Sequence, residues 1–147
     1  MDASTRELVF GDALAQARRR WVQESQRRVS AFGYEHFKRS DTVVLRRLRS
    51  GPAALVDLRD VIGISRQATR KIVEGLHKRG YVEMTRDEHD ARRTLVVLSD
   101  DGQRYAEVLV RVAAAMNVDV ARDVDEVQMS AALAVLSAVT GRWSAPL

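Results

Sequence analysis

Between residues 55 and 98 the hydrophobic period changes from helical to alternating within a few positions, which leaves few ways to bury both patterns. Leu55, Leu58 and Ile62 recur at three- and four-residue spacing and predict a short helix over 55–62. Gly63 breaks it and supplies a turn. Ser65 is placed to cap a second helix, its hydroxyl taking an amide hydrogen that the first turn leaves unpaired. That helix runs to Arg79, and Gly80 ends it as a residue free to adopt positive φ. Ala68, Ile72, Val73 and Leu76 predict the inward face, and Arg66, Gln67, Arg70, Lys71 and Glu74 the outward one. Residues 81–86 and 94–98 then read as two strands rich in Tyr, Val, Thr and Leu. The run Asp87-Glu88-His89-Asp90-Ala91-Arg92-Arg93 joins them as a charged hairpin loop, a wing beside a basic helix.

Helical periodicity also fills the flanks. Leu14, Ala17, Trp21, Ser25, Val29 and Phe32 predict one long helix over 5–31. Val44, Leu45 and Leu48 face inward on a helix over 41–50, which Ser50-Gly51-Pro52 breaks. Ser99 caps a further long helix with Asp100 and Asp101 in its first turn, where the helix dipole favours acid. Tyr105, Val108, Leu109, Val112 and Met116 line one side of it. Asp125 and Gln128 have capping-box spacing and start a last helix striped by Met129, Ala132, Leu133, Leu136 and Val139. The expected fold is therefore mainly α. A winged helix-turn-helix lobe at 41–98, with a two-stranded wing, is flanked by N- and C-terminal dimerisation helices at 5–31 and 100–141 in a single chain of 147 residues. The terminal stripes are too apolar to leave in water, so a homodimer is expected.

Charge and missing residue types narrow the function. Residues 1–50 hold eleven basic and six acidic residues, 64–93 eight and five, and 100–147 four and seven. The first two-thirds attract phosphate and the last third repels it. With no cysteine there is no disulfide scaffold, thiolate metal site or thiol switch. His36, His77 and His89 are scattered without the spacing of a metal site, and no cofactor is expected. No nucleophile–base pair, phosphate loop or paired carboxylates appear, so the chain is not read as an enzyme. No apolar run approaches the ~20 residues of a membrane span. Met1-Asp2-Ala3-Ser4 lacks a basic or apolar leader, which makes the cytoplasm the expected compartment.

A helix that follows a tight turn and carries a polar outer face fits the major groove of B-DNA, about 12 Å wide. Its N-terminal residues reach the bases first. Arg66 and Arg70 can match guanine O6 and N7, and Gln67 can match adenine N6 and N7. Ser65 caps the helix, Thr69 is short enough to touch a thymine methyl or a phosphate, and Lys71 suits the backbone. At the wing tip an arginine can enter the minor groove, with Asp90 and Arg92 spaced to pair and hold the loop. The rival reading is a winged-helix protein-interaction module, which would want an apolar or acidic face on this helix.

Residues 64–83, from Ile64-Ser65-Arg66-Gln67 to Gly80-Tyr81-Val82-Glu83, resemble the recognition helix and first wing strand of the MarR (multiple antibiotic resistance regulator) family. Residues 87–102, with Asp90 and Arg92 at the tip, Arg93 beside them, an apolar strand, the capping Ser99 and then Gly102, resemble the family's wing signature. Ser99 stands where threonine is commoner, and Glu88 where proline is common. The resemblance implies a homodimer with interleaved terminal helices and one winged lobe on each half-site of a pseudo-palindromic, double-stranded DNA operator. It also implies a transcriptional regulator, usually a repressor in this family, with a small aromatic or lipophilic molecule as candidate releasing ligand. Trp21, Tyr34, His36 and Phe37 are the candidate lining of a ligand cavity, against the plainer reading that they are core.

Overall fold

In a computed structural model, the backbone is described for residues 3–142 and the side chains for 9–141. The first residues of the expected 5–31 helix, Thr5 to Leu8, therefore have no described side chains. The elements run α1 (Ala3–Ser30), α2 (Arg39–Leu48), β1 (Ala53–Ala54), α3 (Leu55–Ile62), α4 (Arg66–Lys78), β2 (Val82–Arg86), β3 (Thr94–Leu98), α5 (Asp100–Ala121) and α6 (Glu126–Arg142). The chain divides into two compact units, residues 1–112 and 113–147, with the division inside α5.

The capping signals act where the sequence puts them. The Ser65 hydroxyl accepts the Ala68 amide at 3.2 Å and starts α4. Ser99 Oγ accepts the Gly102 amide at 3.0 Å and starts α5. Asp125 and Gln128 exchange backbone-to-side-chain bonds of 2.9 and 2.8 Å at the start of α6. Gly63 turns α3 into α4 at φ 72°, a left-handed conformation that a side chain disfavours.

The sheet departs from the two-stranded expectation. It has three antiparallel strands in the order β1-β3-β2, with Ala53 opposite Val96 and Ala54 opposite Leu95. Two alanines have no strand propensity of their own. The break at Ser50-Gly51-Pro52 leaves them extended, and the free edge of β3 supplies the hydrogen bonds. The core of the first unit lies beneath this sheet and the helices. Val44, Leu45 and Leu48 of α2, Leu58 of α3, Val73 and Leu76 of α4, and Val96 of β3 are all buried.

Gly102 shows why the wing must be followed by glycine. A Cβ at this position would lie 1.8 Å from the Tyr81 carbonyl oxygen. Ser99 Oγ donates to the Gly80 carbonyl at 2.5 Å, and the Ser99 amide donates to the Tyr81 carbonyl at 3.1 Å. The start of α5 is thus drawn onto the backbone at the end of α4, too close for any side chain at residue 102.

The terminal helices keep much apolar surface. On α1, Val9, Phe10, Leu14 and Trp21 are exposed, and in the second unit so are Leu133 and Leu136 of the α6 stripe. Among the described residues no helix is long and apolar enough to cross a membrane.

Candidate nucleic-acid interface

The outward face of α4 carries Ser65, Arg66, Gln67, Arg70 and Lys71, all exposed as the spacing predicts. Thr69 does not belong with them. It is 1% exposed, and its hydroxyl donates to the Ser65 carbonyl at 3.0 Å. The buried stripe is Thr69, Val73 and Leu76, while Ala68 and Ile72 are half-buried, so the inward face is turned from the one the apolar residues alone suggest. A threonine can sit inside because the helix itself satisfies its hydroxyl, and this removes Thr69 from the set that can meet DNA.

The wing is shaped by backbone rather than by an ion pair between Asp90 and Arg92. Asp90 Oδ1 accepts the backbone amide of Arg92 at 3.0 Å, and the Asp90 carbonyl accepts the Arg93 amide at 2.9 Å. Asp87 repeats the device with the amide of His89 at 2.9 Å. A short acidic side chain closes such a turn without recruiting a long flexible partner. The Arg92 guanidinium is left over, with no hydrogen bond or ion pair among the described residues. Arg93 instead reaches back 3.5 Å to Asp57 of α3.

Together these elements form a cleft of about 450 Å³ lined by Arg59, Arg66, Arg70, Arg92 and Arg93 over an apolar floor of Ala54, Leu55 and Val56. The helix and the wing, expected separately, thus share one cationic concavity. Arg59 was not legible as part of it, because its neighbours in sequence give no sign that α3 turns it toward the wing. Acidic neighbours temper the field: Asp60 holds Arg59 at 2.8 Å, and Glu74 holds Arg70 at 2.9 Å. On α1, Arg27 and Arg28 both bind Glu24, which holds that carboxyl down at about 2 through Arg27 first and Arg28 second. Two of the α1 cations therefore share one local counter-charge.

The candidate ligand residues are dispersed in role. Trp21 stands on α1 with 40% of its surface exposed, His36 is exposed and Phe37 half-buried. Tyr34 stacks on Tyr105 with centroids 4.5 Å apart, and Tyr81 packs on Tyr105 at 4.6 Å. Next to these rings lies a charge that sequence reasoning missed. Asp41 of α2 is fully buried and takes a two-pronged bond from Arg79, at 2.8 Å to each oxygen. Tyr105 Oη donates to it at 3.2 Å. Burial first, and the Asp41 charge second, push the Tyr105 phenol far above its usual value, and Tyr81 is raised by burial as well. The one local hint was the acidic residue in the first turn of α2; its partners lie 38 and 64 residues away. Among the described residues no group of three or more His, Asp or Glu is placed to hold a metal.

Comparison with known proteins adds a family match over part of the chain. Residues 37–93 match the MarR family. Three solved structures resemble the chain in fold. A mutant MarR from E. coli complexed with operator DNA aligns at TM-score 0.77 and 16% identity, over 95% of this chain and 99% of that one. PcaV, a transcriptional regulator from Streptomyces coelicolor in complex with its natural ligand, aligns at 0.75 and 22%, over 96% of each chain. BpsR from Bordetella bronchiseptica, whose DNA binding is regulated by 6-hydroxynicotinic acid, aligns at 0.74 and 25%, over 88% and 91%. A sequence comparison with curated proteins finds no match.

Proposed function

We propose that this chain, whose residues 37–93 match the MarR family, is a transcriptional regulator of that family and acts as a homodimeric, sequence-specific repressor. Each subunit lays α4 in the major groove of one half-site of a pseudo-palindromic operator, with Arg66, Gln67 and Arg70 toward base edges and Ser65 and Lys71 toward phosphates. Arg92 at the wing enters the adjacent minor groove. Asp90 and Arg93 shape the wing that carries it, and the helices at 5–31 and 100–141 form the dimer. A protein with this role works in the cytoplasm.

One observation carries the reading: helix and wing arginines line a single exposed cleft, with Arg66 and Arg92 unpaired among the described residues. Guanidinium groups this close together repel one another unless an anion joins them, and the spaced charges of a DNA backbone supply it. The apolar stripes left exposed on α1 and α6 support a second copy as their cover. A small aromatic or lipophilic effector enters as a further partner, supported by the ligand-bound neighbours. It would favour a dimer whose recognition helices no longer match the half-site spacing. Trp21, Tyr34, His36 and Phe37 are the residues to probe for it.

The test is titration of the protein on the DNA upstream of its own gene and on a scrambled duplex, each at two salt concentrations. The expected result is tighter binding to the upstream DNA, with affinity on both falling steeply with salt. Equal affinity for the two duplexes would remove the sequence-specific reading. Absence of binding at low salt would leave the protein-interaction module as the better account.

A further inference from the structure

We infer that Asp41 and Arg79 are positioning residues for DNA recognition: their buried pair, completed by Tyr105, sets the C-terminal end of α4 against α2 and the start of α5 and so helps decide which half-site spacing the protein accepts. The inference rests on the reading above that α4 lies in DNA.

Three separate stretches of chain meet at one carboxylate. Asp41 is fully buried and accepts from the Lys38 amide at 3.1 Å, from both terminal nitrogens of Arg79 at 2.8 Å, and from Tyr105 Oη at 3.2 Å. Arg79, the C-cap residue just past α4, also donates to the His36 carbonyl at 3.2 Å and, through Nε, to the Gly75 carbonyl at 3.2 Å. Its guanidinium lies 5.5 Å from the centroid of the Tyr81 ring, and Tyr34, Tyr81 and Tyr105 pack on one another with stacked or tilted rings. No buried side-chain polar atom among the described residues lacks a partner, so the cluster is closed.

Stability does not explain the arrangement. A buried ion pair gains little over a well-packed apolar substitute, because desolvation offsets the attraction. What an apolar substitute cannot reproduce is direction. A planar fork with two parallel bonds fixes the orientation as well as the position of the helix end it hangs from. A helix read by base edges needs that orientation held closely.

The experiment uses the full-length protein in three forms besides wild type: Asp41→Asn, Arg79→Lys, and Asp41→Asn combined with Arg79→Met, which removes both charges. Hydrogen exchange at the amides of residues 79–81 is measured without DNA. Affinity is measured on the operator and on duplexes with the half-site spacing changed by one base pair. The double variant is expected to melt near wild type, yet to exchange faster at these amides and to lose about three- to thirtyfold of its preference for the native spacing. Arg79→Lys keeps the charge and loses the fork; it should show the same two losses in smaller measure. Wild-type exchange and wild-type spacing preference in the double variant would overturn the inference. If the double variant does not fold, the same result in Arg79→Lys does so. A wild-type protein that binds no duplex at any spacing removes the proposed function, while the exchange measurements still decide whether the pair holds the helix end.

Discussion

Two regions of one small lobe put arginine to opposite uses. At the cleft between α4 and the wing, Arg66 and Arg92 are exposed and unpaired among the described residues, and Arg70 has 71% of its side chain in water with only Glu74 as partner. At the base of α4, Arg79 is largely covered and donates to Asp41 through both terminal nitrogens, to the His36 carbonyl and, through Nε, to the Gly75 carbonyl. The same functional group serves two ends. A guanidinium supplied with several acceptors from within the chain sets geometry, whereas one left wanting is available to an outside anion. Charge counts along the sequence cannot separate these roles; the supply of acceptors can.

The largest effect expected from this contrast is on folding. Arg79→Ala leaves Asp41 buried without its cation, and unfolding free energy should fall by about 3–5 kcal/mol. Urea denaturation checks it, and a loss no larger than that of an exposed arginine would erase the distinction between the two regions.

Next comes the seam between them. Gly102→Ala drives a methyl into the Tyr81 carbonyl at the end of α4. The cost should be about 1–3 kcal/mol, since the backbone of two elements must part. Thermal melting measures it. An unchanged melting temperature would mean that α5 does not hold the close approach.

Arg66→Ala and Arg92→Ala should do the reverse of Arg79→Ala. Melting should hardly change, while operator affinity falls by about 1–3 kcal/mol. Loss of the Arg92 charge from the DNA should also flatten the salt slope. A large drop in melting temperature for Arg92→Ala would make the wing arginine structural.

Alkaline pH separates the regions by a different lever. The Tyr105 phenol sits far above its usual value, chiefly through burial. A group whose pKa is raised in the fold favours folding while it stays protonated in both states. That contribution is complete below the unfolded tyrosine value of about 10 and is lost as pH rises through the folded value. Stability should therefore fall steadily above pH about 10, and Tyr105→Phe should flatten that fall. The readout is denaturation at a series of alkaline pH values.

The smallest change is expected at Glu74. Its exposed bond to Arg70 contributes little to stability. Glu74→Gln frees Arg70 and removes a negative charge from the proposed DNA-binding face, so binding to random DNA should tighten about two- to threefold. Weaker binding would show that Glu74 aims Arg70 rather than restrains it.

The element order, the recognition helix and the wing strands were legible because each signal acts over three or four residues. Ser65, Ser99 and the Asp125–Gln128 exchange make their capping bonds within one turn, so identity and spacing suffice. The exposed face of α4 was legible for the same reason, apart from Thr69. Its burial depends on how α4 is rotated against α2 and α3, and a short side chain that can bond its own helix tolerates either face.

By itself, then, the sequence determined the run of helices and strands, the turn glycines and the basic outer face of α4, since local hydrogen bonding and hydrophobic period decide those. Tertiary structure alone decided the third strand at Ala53–Ala54, the turning of Arg59 into the cleft, the tie from Arg93 to Asp57 and the burial of Asp41 among Arg79 and Tyr105. Each of these joins residues far apart in the chain whose own neighbours give no preference. A buried charge also has no sequence period to betray it: it is stable only where distant donors meet, and that meeting exists only in the folded chain.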